Sequence, residues 1–443
     1  MSAGSTDRRK AKEMANQRKL RYLLVVSTLL TALILVVPLL ASAGSKTDDS
    51  RSLDPNTQFY VAKPNHGAIE QIADLISSGD MADANLIRQM IELPQAVWFT
   101  SGTPKDVEQD VKNTVQRAAG KGTVPVLVAY NVPGRDCSQY SAGGAPTGDA
   151  YKAWIDGFAA GLGDQKAVVI LEPDGLALLP TDCGQPDTYD RVSLINYAAH
   201  ALLRDPNAAI YLDAGHSAWH SVGDMAARLV AGGVQDVQGF FQNASNYQFT
   251  TNSVQYGTWI SSCIAYATTV TPGDFSACPN QYWNGGPLPA KIAQLLGEWI
   301  GVALSPYGEW SDTTDTPNLN TSGINLRYTN MLGATQPTTH FVIDTSRNGQ
   351  GPWAPPVDHP AGDPQDWCNP PDRGLGYRPT ANTGQPLVDA YLWVKIPGES
   401  DGQCYRWTSG PLDPVRGSQD PPAGQWFPDM ALELVRNANP SLH

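Results

Sequence analysis

The run Val168–Ala177 (VVILEPDGLA) carries two carboxylates, Glu172 and Asp174, off the end of four apolar residues. Two carboxyl groups held in one pocket can do acid–base work. One keeps its proton and gives it to a leaving oxygen, while the other stays ionised and draws a proton from water. Similar polar groups recur down the chain. Asn131–Cys137 holds Arg135 and Asp136, and Leu212–His216 holds Asp213 and His216. Asn243 and Asn246 follow one apolar run, Asp344 and Arg347 follow another, and Lys395–Asp401 holds Lys395, Glu399 and Asp401. Twelve Trp and seventeen Tyr supply flat faces that can stack on sugar rings. Acids gathered in this way beside abundant Trp fit cleavage of a glycosidic bond by a carboxylate pair. Each residue also has a plainer reading. Glu172 and Asp174 could end a strand and cap the next helix, Asp136 could pair with Arg135, and Asp213 could cap the helix after its strand. Lys395 could snorkel from a strand end, and Trp98 and Trp219 taken singly could be core.

Such groups need a scaffold that brings them to one place. The apolar, β-branched stretches read as strands: Ala96–Thr100, Val124–Tyr130, Ala167–Leu171, Ala209–Leu212, Val237–Gln242, His340–Ile343 and Ala390–Val394. Unbroken apolar runs suit strands buried on both faces, and Pro173 cannot continue the ladder of its strand. Helical patterns lie between most of them: Asp106–Ala119, Ala150–Gly161, Thr188–Leu203, Val222–Ala231 and Leu288–Leu304. Alternation of this kind predicts α/β architecture, a distorted TIM-like parallel barrel of about seven strands. In such folds the chemistry sits where strands end, and nearly every strand here ends in a polar group. The stretches 249–287, 309–322, 347–385 and 402–424 read as long loops on that same face.

Composition narrows the class. The chain has 443 residues and a formal charge of −13, with only 16% charged residues. No basic stripe lies in the folded part, which excludes a nucleic-acid partner. Seven Lys or Arg within residues 1–21 precede an apolar run, Tyr22–Leu40, and then Ala41-Ser42-Ala43. Residues 1–43 thus read as an export signal or an N-terminal membrane anchor. Residues 44–57 read as a polar linker, and 58–443 as one catalytic domain, secreted or extracytoplasmic. Six cysteines in an exported chain favour disulfides. Chain order suggests Cys137 with Cys183, Cys263 with Cys278 and Cys368 with Cys404, among the 15 pairings that six cysteines allow.

At this point the chain resembles a known family. Val128–Gly144 (VAYNVPGRDCSQYSAGG), VVILEPDGLA, LDAGHSAW, DTSRNGQGPW, DWCNPP and KIPGESDG occur in order. Together they are similar to the motifs of glycoside hydrolase family 6, the inverting β-1,4-glucanases, across nearly all of residues 58–440. Gly175 departs from the family signature, where Ser or Ala is commoner. The resemblance implies that Asp174 is the general acid and that Asp136 supplies neighbouring negative charge. It also implies that Asp401 is the candidate base, directly or through water, that Asp213 sits near the reacting sugar, and that Tyr130 crowds it. Lys395, Glu399, Arg135, Asn243 and His216 would line the site. Trp98, Trp219, Trp367 and Trp353 would be stacking platforms. The Cys137–Cys183 and Cys368–Cys404 pairs would match family disulfides, with Cys263–Cys278 an added staple.

The expected partner is a β-glucan or its oligosaccharides, the expected state a monomer, and no cofactor or metal is expected. Two other readings compete. One is a glycan-binding protein without activity on the same scaffold. The other is a metal-dependent deacetylase built on Asp213, His216 and His220, the histidines having helical i,i+4 spacing but no HExxH motif.

Overall fold

Seven parallel strands hydrogen-bond in simple chain order, β1 to β7. They are β1 Val97–Phe99, β2 Val126–Ala129, β3 Ala167–Leu171, β4 Ala208–Asp213, β5 Gly239–Gln242, β6 His340–Asp344 and β7 Val388–Leu392. This computed structural model describes residues 50–282 and 302–442. The export segment, the first part of the linker and nearly all of the 288–304 helical pattern lie outside the described residues. Each strand agrees with its sequence expectation to within two residues at either end.

Alternation along the strands separates two cores. Val126, Val128, Val168, Ile170, Ala209, Tyr211, Phe241, Val342, Ala390 and Leu392 form one cluster, the filling of the barrel. Leu127, Ala129, Val169, Leu171, Ile210, Leu212, Phe240 and Ile343 belong to the other, packed under the helices. Every residue of β3 is fully buried, as an unbroken apolar run requires. Each such Val, Ile or Leu contributes roughly 1.5–3 kcal/mol relative to exposure. The sheet curls without closing. No ladder joins β1 to β7. A backbone bond from Ala96 N–H to the Trp393 carbonyl (3.0 Å) and one from the Trp98 indole to the Val394 carbonyl (2.8 Å) span the seam.

Several helices start where the sequence supplies a side-chain cap. The helix α1 (His66–Ser78) is capped by Asn65, and α2 (Met81–Ile91) follows directly. A Thr103–Asp106 capping box opens α3 (Pro104–Ala119), and Thr147 caps α4 (Gly148–Leu162). Asp190 caps α5 (Arg191–Leu202), and Ser221 caps α6 (Val222–Ala231). Further on come α7 (Thr250–Ala265), α8 (Ser322–Leu332) and α9 (Pro428–Arg436). The helices α1, α2 and α9 share an apolar cluster around Trp393, the residue that takes the seam bond.

Helix α7 corrects the expectation of one loop over 249–287. Its apolar residues do fall three or four apart, at Tyr256, Trp259, Ile260, Cys263 and Ile264. Asn252, Ser253, Ser261 and Ser262 are buried beside them, so the polar–apolar contrast that marks a surface helix is missing. The cysteines pair as chain order suggests: Cys137–Cys183, Cys263–Cys278 and Cys368–Cys404.

Candidate active site

The backbone at the strand ends is unusual. Glu172 (φ 53°) and Asp174 (φ 64°) flank Pro173 in the left-handed region, and Asp136, Cys137 and Ser138 follow one another there (φ 56°, 47° and 69°). Such conformations cost about 1–2 kcal/mol per non-glycine residue and persist only where surroundings impose them. The turn after β3 is tight. The Gly175 N–H donates to the Glu172 carbonyl at 2.7 Å, and a Cβ at position 175 would lie 2.7 Å from that same oxygen. In this chain a side chain at 175 would force the Glu172 carbonyl to shift. Cys137, in the strained run, is tied by its disulfide to Cys183.

The loops beyond the strand ends enclose a cleft of about 820 Å³. Trp98, Tyr130, Arg135, Asp136, Asp174, His216, Trp219, Trp367, Lys395, Glu399 and Asp401 all line it. Asp213 and Asn243 do not. Asn243 is fully buried, donating to the carbonyls of Asp344 (2.9 Å) and Gln248 (3.4 Å) and accepting from Gln248 N–H. Its amide stitches the ends of β5 and β6 together and is unavailable to a ligand. Trp353 is likewise no part of the lining; the Arg406 guanidinium lies over its ring at 5.0 Å.

On one side of the cleft three carboxyls crowd together. Burial raises Asp174 well above the usual carboxylate range, and the charges of Asp213 and Asp136 raise it further against the pull of Arg191. Asp213 sits behind it, 2% exposed, accepting from the N–H groups of Ala177 (2.8 Å), Gly215 (3.0 Å) and Leu176 (3.3 Å). Burial raises Asp213 too, but these donors favour its charged form. No hydrogen-bond donor among the described residues engages the Asp174 carboxyl, so a proton shared by the pair resides on Asp174. Asp136 is raised by burial, against a bond from Ser141 N–H (2.6 Å) and the charge of Arg135. Arg135 does not bind Asp136 directly. It donates to the carbonyls of Ser141, Thr100 and Tyr130 and lies over the Tyr130 ring at 4.6 Å. Burial, then Asp174 and Asp136, hold the Tyr130 phenol in its protonated form.

Asp401, on the loop after β7, has the opposite environment. Burial alone would raise it, but Arg347 and Lys395 outweigh that and hold it below the usual value. Arg347 Nη1 donates to Oδ2 at 2.9 Å, and Lys395 Nζ lies 3.4 Å from Oδ1. Asn369 N–H (3.0 Å) and the Tyr247 hydroxyl (3.2 Å) also donate to Oδ2. Glu399, nearby, is raised by burial against the charge of Lys395 and a bond from Asn65 (2.8 Å). One cleft thus holds a carboxyl poised to keep its proton and a carboxylate fixed in its ionised form.

Aromatic residues line the same cleft. Trp98, Trp219 and Trp367 are each half-buried, neither core nor free surface. His216 lies beside Trp219 at 5.5 Å between ring centres, and burial, with His220 nearby, drives its imidazole down to about 3. His216 is neutral in use. The set Asp213, His216 and His220 does not converge as metal ligands. Asp213 is held by backbone N–H groups, and His220 bridges Asp224 (2.8 Å) and the Ala177 carbonyl (2.6 Å). The candidate ligand group that does cluster among the described residues, Cys404, Asp413 and Asp420, has its cysteine in a disulfide and Asp413 paired with Arg406 at 2.9 Å.

Sequence reasoning missed several contributors. Tyr247 and Asn369 reach Asp401 from distant loops. Arg347 is among the polar groups that follow β6, but the sequence alone assigns it neither a partner nor a role. Tyr140 lines the cleft with its hydroxyl at 3.0 Å from Gln365 and its ring against Gly402.

A parallel half-barrel with a protonated acid and an ionised carboxylate in an aromatic-lined cleft is the architecture of a carboxylate glycoside hydrolase. The chain belongs to Glycosyl hydrolases family 6, whose profile matches residues 54–438. It is 33% identical over 344 residues to Endoglucanase 1 of Streptomyces sp. (strain KSM-9), covering 77% of this chain and 69% of the relative. It is 31% identical over 413 residues to Endoglucanase A of Thermobispora bispora, covering 91% of this chain and 66% of that one. The chain therefore spans about two thirds of the length of these relatives. In structure it is similar to the endoglucanase Cel6 of Mycobacterium tuberculosis, solved in complex with methyl-cellobiosyl-4-deoxy-4-thio-β-D-cellobioside. That match has a TM-score of 0.60 and 32% identity, and covers 88% of this chain and 99% of that one.

Proposed function

We propose that this chain hydrolyses β-1,4-glucosidic bonds of cellulose or a related β-glucan, with inversion at the anomeric carbon. The observation that carries the reading is the opposed electrostatics of Asp174 and Asp401 in one cleft. Asp174 is the general acid that protonates the leaving oxygen; Asp213 and Asp136 keep it protonated until substrate arrives. Asp401 stays ionised. Clamped by two cations, it is a weak base, suited to orienting water and taking its proton by relay rather than to strong direct abstraction. The Tyr130 hydroxyl and Lys395 face the reacting ring, and Glu399, Arg135 and His216 shape the pocket around it. Trp98, Trp219 and Trp367 carry neighbouring sugar rings.

Residues 58–443 act as one catalytic domain, preceded by an export segment that is cleaved or kept as an anchor. The basic-then-apolar N-terminus and three disulfides support a place outside the cytoplasm. Among the described residues no helix is long and apolar enough to cross a membrane, and N-terminal sequencing of the exported protein decides between the two fates.

The test is release of reducing ends from carboxymethylcellulose by wild type and Asp174→Asn, with viscosity followed in parallel. Loss of a proton donor predicts a fall of about 10²–10⁴-fold in kcat, and NMR of fresh product predicts the α-anomer first. A β-anomer, or an Asp174→Asn variant of wild-type activity, overturns the reading. Viscosity reports whether the cuts fall inside the polymer.

A further inference from the structure

Behind the cleft lie two charged side chains with no part in the chemistry described so far. Glu172, two residues before Asp174, is 0% exposed, and Arg191, at the start of α5, is 2% exposed. Neither reaches the cleft lining. They hold one short loop by its two kinds of backbone group. The Glu172 carboxylate accepts from Asn131 N–H (3.0 and 2.9 Å, one to each oxygen) and from Val132 N–H (3.0 Å). Arg191 Nη2 donates to the carbonyls of Pro133 (2.7 Å) and Gly134 (3.3 Å). The next two residues are Arg135 and Asp136, which enter the cleft.

We propose that Glu172 and Arg191 are positioning residues that together anchor the 131–134 loop, one through its N–H groups and the other through its carbonyls. They fix the loop that carries Asp136 against the turn that carries Asp174, with the Glu172 carboxyl set to offset the charge of Arg191.

The loop geometry requires an acceptor at position 172, because the backbone groups that meet its carboxyl are donors; burial pushes that carboxyl up to about 7 against their pull. It requires a donor at 191, because the groups there are carbonyls. Those contacts bring a guanidinium close to an acid that must stay protonated. The charged and titratable groups facing Asp174 are Asp213 at the end of β4, Asp136 on the 131–137 loop, Tyr130 after β2 and Arg191 on α5. Arg191 is the cation of that group, and its own neighbours are Glu172, Asp187, Tyr151 of α4 and Tyr130. Glu172 in turn faces Tyr151 and Arg191. Removing the Glu172 charge leaves Asp187 as the carboxylate beside Arg191 and strengthens the pull of Arg191 on Asp174.

This inference rests on Asp174 being the general acid. The test is the pH profile of kcat/KM on a soluble cello-oligosaccharide for Glu172→Gln, Arg191→Met, Arg191→Lys and the double variant carrying both Glu172→Gln and Arg191→Met, beside Asp174→Asn. Glu172→Gln moves the alkaline limb down by about one pH unit, and Arg191→Met moves it up by a similar amount. The double variant returns it towards wild type, and Arg191→Lys, which keeps the charge, leaves it in place. KM changes little throughout. A role in packing alone would lower kcat without moving the limb, so limbs unmoved in folded variants, or moved the same way, overturn the proposal. Should Glu172→Gln fail to fold by circular dichroism, Arg191→Met against Arg191→Lys decides by the same rule. If Asp174→Asn retains the wild-type alkaline limb, the acid assignment has failed and the proposal falls with it. If Asp174→Asn abolishes activity while the other limbs stay put, only the charge pair has failed.

Discussion

Arg347→Gln tests the claim that Asp401 is held ionised by its partners. Arg347 is fully buried, donates to Asp401 Oδ2 at 2.9 Å and lies over the Tyr247 ring at 4.3 Å. Taking charge centres about 4 Å apart and an effective dielectric of about 20, the pair is worth about 4 kcal/mol. At 1.36 kcal/mol per unit this sets a ceiling of about 3 units on the displacement. Lys395, Asn369 N–H and the Tyr247 hydroxyl remain to share the charge, so the acid limb of kcat/KM should move up by about 1–2 units. The sign for stability follows from the same pairing. A carboxylate lowered in the folded state stabilises it above the unfolded value, near 3.9, and loses that contribution as pH falls through the lower folded value. Wild type should therefore resist acid, and the variant should lose activity and melt earlier as pH drops. The assay is a rate profile from about pH 3 to pH 7 with a melting curve at each pH. Arg347→Lys should recover part of the shift. A folded Arg347→Gln variant whose acid limb coincides with wild type would refute the reasoning.

Two further outcomes are expected away from the chemistry. His340 Nδ1 lies 2.7 Å from Asp389 Oδ1, and that bond, despite partial burial, raises the imidazole above its ordinary value. This contribution is fully present below about pH 6.5 and is lost as pH rises through the raised folded value. The melting-temperature gap between wild type and His340→Gln should be widest in mild acid and shrink in alkali; a gap that grows with pH would contradict the assignment. Replacing Cys263 and Cys278 together with Ala opens a bridge of sequence separation 15. The loss should be about 3 kcal/mol, seen as a lower melting temperature with kcat unchanged, because neither cysteine lines the cleft. Lost activity at an unchanged melting temperature would show that the bridge serves the site instead.

The strands were legible because their signal is local. The all-apolar run before Glu172 can be buried on both faces wherever it lies, and β3 has the bounds that run suggested. Helix α7 was not legible, since Asn and Ser residues buried beside its apolar stripe remove the contrast with a polar face that marks a surface helix. Asn243 misled for a related reason. A polar residue at a strand end can face the cleft or bind neighbouring backbone, and its hydrogen bonds to Gln248 and Asp344 depend on where β6 ends. Arg347 was visible after β6 but carried no role, because its partner Asp401 lies 54 residues further on.

The sequence by itself determined the order of the strands, their parallel sense, the face on which polar groups collect and the family to which the motifs belong. The first three follow from apolar period, chain order and residue type; the family rests on the resemblance of six motifs in order. Only the tertiary structure decided which carboxyl keeps its proton. Asp174 and Asp401 are the same residue type, both at strand ends. One faces Asp213 and Asp136 from other strands, while the other is clasped by Arg347 and Lys395. Protonation is set by the charges and burial around a group, and folding brings those neighbours together from distant parts of the chain.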